Sequence, residues 1–109
     1  MKVTKVIEVA KDFSKFPGGR YLTDGPHSGQ RFREDFLVPA LNTTESVTIE
    51  LDGTLGYGSS FLEEAFGGLV RESGFSGEKL RSALCFKSRD SSLPGEIWDY
   101  ISRAQPRRP

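Results

Sequence analysis

Between residues 47 and 51 the chain alternates Val47, Ile49 and Leu51 with Thr48 and Glu50, the period of two that marks a half-buried strand. Gly53, Gly56 and Gly58 then interrupt the pattern and permit a sharp loop. After Ser59 and Ser60 the period lengthens to that of a helix. Phe61, Leu62, Ala65, Phe66, Leu69 and Val70 share one face, and Glu63, Glu64 and Arg71 fall opposite. Residues 47–70 therefore predict strand, glycine loop and helix, with Ser73-Gly74 ending the helix at a glycine suited to a left-handed cap. Gly67 and Gly68 adjoin inside that helix, each at ~1 kcal/mol against alanine. They predict that the helix packs closely on the sheet.

The same reading extends over the rest of the chain. Val3, Val6, Ile7 and Val9 predict a first strand, and Pro17-Gly18-Gly19 a turn. Arg20-Tyr21-Leu22 predicts a short second strand at the sheet edge. Ser28 predicts an N-cap for a helix whose apolar face is Phe32, Phe36, Leu37, Ala40 and Leu41, kinked or ended by Pro39. A short helix with Leu80 and Ala83 inward covers residues 76–83, and Leu84-Cys85-Phe86 predicts a further strand. A last helix begins around residues 90–94, with Pro94 in its first turn and Ile97, Trp98 and Ile101 inward. Strands alternating with helices predict an α/β layer with a mixed sheet and helices on at least one face. The whole chain, 1–109, reads as one domain with its core at about 3–104 and a frayed tail at 105–109.

Composition narrows the function classes. Lys+Arg and Asp+Glu are both 15, so the formal net charge is zero and no general affinity for nucleic acid or membranes is expected. Arg103, Arg107 and Arg108 make a small basic end without interleaved aromatics. The single Cys85 cannot form an internal disulfide and suits a reducing cytoplasm; its place in Leu84-Cys85-Phe86 predicts a buried structural thiol. The alternating N-terminus lacks the ~7–15-residue apolar core of a signal peptide, and nowhere are there ~18 consecutive apolar residues to span a bilayer. A cytoplasmic chain is the expectation.

Candidate chemistry gathers in two places. At Ser59 and Ser60, one hydroxyl could cap the helix, and the other could be an exposed phosphate acceptor that brings about −1.5 to −2 charges to a docking surface. Between residues 18 and 33, Gly18, Gly19, Arg20, Ser28, Arg31 and Arg33 could cradle an anion, although neither the Walker nor the dinucleotide glycine spacing is present. The bland reading of that stretch is a turn-rich loop with solvated arginines. A hydrolase triad of Ser59, His27 and Asp24 or Asp52 lacks the G-x-S-x-G elbow, and one histidine without ligand spacing predicts no metal site. A non-enzymatic protein without a cofactor is expected.

The segment I-E-L-D-G-T-L-G-Y-G-S-S-F-L-E-E-A-F-G-G-L-V, with F-P-G-G-R-Y, D-G-P-H-S-G-Q-R-F-R and L-P-G-E-I-W-D-Y-I on its flanks, resembles bacterial STAS-like proteins of unknown function. These in turn resemble the STAS domains of anti-sigma factor antagonists and sulphate transporters. The resemblance implies a single STAS-like domain, with a four- or five-stranded mixed sheet and helices mainly on one face. It also implies a regulatory module that binds a histidine-kinase-type ATPase, with Ser59 at the position phosphorylated in the antagonists and Ser60 following it. Gly58 and Phe61 stand where the antagonists carry an acid and a glycine. Tyr57, Gly58, Ser59, Ser60 and Phe61 are the expected partner contacts, with Arg20, Arg31 and Arg33 as charged neighbours. A small-anion or nucleotide sensor using residues 18–33, and an accessory component of a toxin or phage-defence operon, are the alternatives.

Overall fold

The period-two stretches become three strands: β1 (Thr4–Glu8), β2 (Ser46–Glu50) and β3 (Leu84–Lys87). The computed structural model describes residues 3–106; the tail residues Arg107 and Arg108 lie outside them. Among the described residues the sheet has three strands in the order β1-β2-β3, all parallel. This corrects the expectation of four or five strands in a mixed sheet. A helix separates each strand from the next, so the chain re-enters the sheet in the same direction each time.

Register explains why one face is covered and the other is not. Ile7 lies beside Ile49 and Ile49 beside Phe86, while Val47 lies beside Leu84. These side chains point to the core, where Ile7, Val47 and Ile49 are buried. Val6, Thr48 and Cys85 share the opposite face, as do Glu8, Glu50 and Lys87. Val6 is 59% exposed and Cys85 is exposed. The helices therefore pack on one face, as expected, and the buried Cys85 is corrected: Leu84 turns inward and Phe86 half-inward, so strand alternation turns the thiol out.

The helices are α1 (residues 29–43), α2 (residues 59–71), α3 (Gly77–Ala83) and α4 (Leu93–Arg103). Ser28 caps α1 by accepting from Arg31 N, as its sequence position predicts, and Ser76 caps α3 by accepting from Lys79 N. Both α1 and α2 widen for one turn, at Arg33–Leu37 and Glu63–Gly67. In α1 Val38 N donates five residues back to Arg33 O, immediately before Pro39. The helix does not end at Pro39: the wide turn moves away the carbonyl its ring would strike, and α1 runs on to Thr43. At the end of α2, Gly74 takes φ +82° and Phe75 N donates to Leu69 O.

Arg20-Tyr21-Leu22 is not a strand. Carbonyls there receive the first amides of α1, Gly29 N to Gly19 O and Gln30 N to Arg20 O, both at 3.0 Å. Their backbone is committed to a helix start, and the chain closes into a short turn at Leu22–Asp24. Below them lies an aromatic cluster. Phe32, with no exposure, has ring-centroid distances of 5.0 Å to Phe13, 5.7 Å to Phe36, 6.0 Å to Phe61 and 6.3 Å to Phe66. Gly29 lets α1 cross α2 here, since a Cβ on it would stand 2.5 Å from Phe61 O and 3.1 Å from Ala65 N.

Gly67 and Gly68 meet charged groups, not the sheet. A methyl on Gly68 would collide with Arg33 Nη1, and one on Gly67 would lie 2.6 Å from Glu63 Oε2 and 3.4 Å from Tyr100 O. The bare backbone makes room for ion pairs between helices.

Candidate functional site

The loop at residues 51–58 leaves the C-terminal end of β2 and delivers the chain to α2. Gly53 at φ +98° and Gly56 at φ +124° adopt conformations that disfavour side chains. Tyr57 Oη donates to Leu51 O at 2.7 Å, which ties the two ends of the loop together. Its ring lies 6.0 Å from that of Phe61, and burial pushes its phenol up to about 12, so it donates at any physiological pH. Tyr57 is half-buried as a strut of the loop. Phe61 is 1% exposed and belongs to the core, which corrects its expected place at a partner contact.

Ser59 and Ser60 are both exposed in the first turn of α2. The N-cap is Gly58, extended at φ −71° and ψ 151°, and no side chain caps the helix. Neither serine hydroxyl hydrogen-bonds to protein among the described residues. The capping role considered for one of them is thus taken by neither. Ser59→Ala and Ser60→Ala should each change stability by no more than about 0.5 kcal/mol, where a capping serine would cost ~1 kcal/mol. Urea unfolding followed by circular dichroism measures the difference.

Two exposed apolar residues escaped the sequence reading. Leu55 is 81% exposed and Phe16 is 65% exposed. Leu55 N donates to Lys15 O at 3.0 Å, which sets the two apolar side chains on adjoining loops. The available signal was an apolar residue inside a glycine loop and another before Pro17-Gly18-Gly19, neither with a periodic partner. Leu55, Gly58, Ser59 and Ser60 thus belong to the exposed segment that leads from β2 into α2, and Phe16 to the loop bonded to it at Leu55.

The residues proposed for anion binding are already occupied. Arg20 pairs with Glu63 and, at 3.4 Å, with Glu64. Arg31 pairs with Asp35 at 3.4 Å, and Arg33 with Glu64 at 2.6 Å. Ser28 is buried as the cap of α1 and accepts Arg31 N at 3.2 Å. With Gly29 N and Gln30 N bonded to the Gly19 and Arg20 carbonyls, the first-turn donors of α1 are spent within the protein. Among the described residues Arg20, Arg33 and the first amides of α1 are thus engaged within the protein, while the exposed Arg31 keeps a single long pair.

Arg20 and Arg33 instead hold α1, α2 and the loop before α1 together. Arg71 reaches Glu63 at 2.7 Å and Glu64 at 3.1 Å, and Arg33 also donates to Glu64 O at 2.7 Å. Burial alone would raise the Glu63 carboxyl, but hydrogen bonds from Arg71 and Arg20 outweigh it and hold it below the usual range. Arg33 and Glu64 are each 3% exposed, and Arg33 Nε is buried without a partner.

His27 stacks edge-on to Phe13 at 5.6 Å, and no hydrogen bond joins it to Ser59 or to Asp24 or Asp52. Among the described residues no group of three His, Cys, Asp or Glu side chains could hold a metal ion. No described helix is long and apolar enough to cross a membrane.

A family model described as a STAS-like domain of unknown function matches residues 28–93, more than half of the chain. No curated protein and no solved structure matches it.

Proposed function

We propose, from the premise that this chain belongs to the family of STAS-like domains of unknown function, that it is a non-enzymatic regulatory module. It binds a protein partner at the entrance of α2. The observation that carries the reading is the pair of unbonded, exposed hydroxyls on Ser59 and Ser60, on the segment that also exposes Leu55 and is bonded to the loop of the exposed Phe16. An apolar anchor in water next to a modifiable polar group suits a contact that must form and be released. The partner is a histidine-kinase-type ATPase, and phosphorylation of Ser59 or Ser60 ends the contact by placing charge at the centre of the interface.

The fold can carry that charge. Ser59 lies in the first turn of a thirteen-residue helical run, where a negative group gains about 0.3–1 kcal/mol from the helix dipole. Glu63, one turn on, offsets part of that gain. Ser59→Asp should therefore leave the fold intact and weaken the partner. The test is a pull-down from the native host with wild-type and Ser59→Asp baits, together with the intact mass of the native protein. An ATPase held by wild type and lost by Ser59→Asp, with a phosphate-sized mass increment, is the expected result. The same ATPase on both baits without an increment contradicts the phosphate control. The lack of any ATPase on the wild-type bait contradicts the choice of partner.

A further inference from the structure

The outer edge of β1 offers a second interaction surface, independent of the α2 entrance. In a strand, successive backbone groups point to alternate sides. Leu51 N donates to Lys87 O, so the odd residues of the β2 segment face β3 and its even residues face β1. On β1, Val3 O accepts Glu45 N, which turns the odd residues inward toward β2. The N–H and C=O groups of Thr4, Val6 and Glu8 consequently line the outer edge, and among the described residues β1 has no neighbour there in the sheet order.

One of those outward donors is occupied. Glu8 N donates to Asp12 Oδ2 at 2.8 Å, so the Asp12 carboxylate blocks the end of the edge with a local acceptor. Val6, two residues back, has no such guard among the described residues, and its side chain is 59% exposed. The edge thus carries one guarded donor, at Glu8, and an unguarded one at the exposed Val6.

We infer that β1 pairs antiparallel with β1 of a second copy of this chain, centred on Val6, to make a six-stranded sheet. The occupant follows from complementarity. About Val6, Thr4 faces the partner's Glu8 and Lys5 faces the partner's Ile7, so no like charges oppose each other. A register centred on Lys5 would set two ammonium groups face to face. A two-fold axis through the Val6 pair also keeps the helices of both copies on the same face, and it places the two exposed valines side by side. The formal net charge of zero presents no long-range repulsion between copies. In this pairing the Val6 groups exchange two hydrogen bonds and Thr4 N reaches the partner's Glu8 O on each side. Asp12 withholds the remaining pair, Glu8 N to the partner's Thr4 O.

Two substitutions act in opposite directions. Val6→Pro removes an outward N–H that the protein's own sheet does not use, and proline is tolerated on such an edge. Asp12→Ala frees Glu8 N on both copies. Sedimentation of the full chain over a concentration series, with circular dichroism to verify folding, reads both. Expected are a monomer–dimer equilibrium for wild type, a monomer at all concentrations for Val6→Pro, and dimerisation tightened about tenfold or more for Asp12→Ala. A wild type monomeric throughout overturns the inference, as does a dimer unmoved by a folded Val6→Pro. Should Val6→Pro fail to fold, Asp12→Ala decides alone: an unchanged or weaker dimer overturns it.

Discussion

Glu64→Ala is expected to destabilise the protein by about 3–5 kcal/mol, a large part of the 5–15 kcal/mol that holds a domain of this kind together. The Glu64 carboxylate lies 2.6 Å from the buried Arg33, against 3.8 Å for the exposed Glu34, and it also meets Arg71 and Arg20. Its removal leaves a guanidinium that is 3% exposed, with Nε already unpartnered and with the Gly68 backbone against it. That charge can neither reach water nor give up its proton. The double substitution Arg33→Met with Glu64→Leu should recover more than half of the loss, because an apolar pair of similar volume carries no desolvation cost. Urea midpoints for the single and double variants check both statements. A loss below about 1 kcal/mol for Glu64→Ala would mean that the network contributes little.

The second large effect is expected at Phe32, where Phe32→Ala should cost about 3–5 kcal/mol. Its ring is the hub on which α1, α2 and the segment after β1 converge through Phe36, Phe61, Phe66 and Phe13. Alanine leaves a cavity bounded by four aromatic rings, which cannot all close in without moving the Gly29 crossing, where backbones already touch. At about 4–8 °C per kcal/mol for a small domain, the melting temperature should fall by more than about 12 °C. Phe16→Ala is the control: at 65% exposed it should shift stability by no more than about 0.5 kcal/mol.

These two effects divide along what the sequence could reveal. Phe32, Phe61 and Phe66 recur at helical spacing, and Val47, Ile49 and Leu84 at strand spacing, so the core and the strand, loop and helix around Ser59 were legible from periodicity. So was the cap at Ser28. The charge network was not. Glu63, Glu64 and Arg71 fall opposite the apolar face of α2 and look like a solvated stripe, yet α1 and the Arg20 loop pack against that stripe. The wide turn at Glu63–Gly67 also rotates the phase of the residues beyond it, which an ideal period of 3.6 cannot anticipate. Gly67 and Gly68 carried the trace of this packing, although it pointed to the wrong neighbour. Arg20-Tyr21-Leu22 misled for a different reason: β-prone side chains sit on a backbone claimed by the amides of α1.

The candidate site was half legible for similar reasons. The positions of Ser59 and Ser60 followed from the change of period, but Gly58, not a serine, holds the extended backbone of the N-cap and leaves both hydroxyls to solvent. Phe61, read as a surface neighbour, is needed by the aromatic cluster. The large apolar side chains exposed in that region are Leu55 and Phe16, which belong to no periodic segment.

Leu55→Asp tests the docking surface most directly, because a residue 81% exposed can take a charge without disturbing the core. The measurement is the affinity of the captured ATPase for wild-type and Leu55→Asp protein by calorimetry, with melting temperatures recorded alongside. Loss of an apolar anchor and gain of a buried charge should weaken binding at least about tenfold while the melting temperature stays unchanged. Equal affinity for the two proteins would contradict the assignment of this rim as the contact.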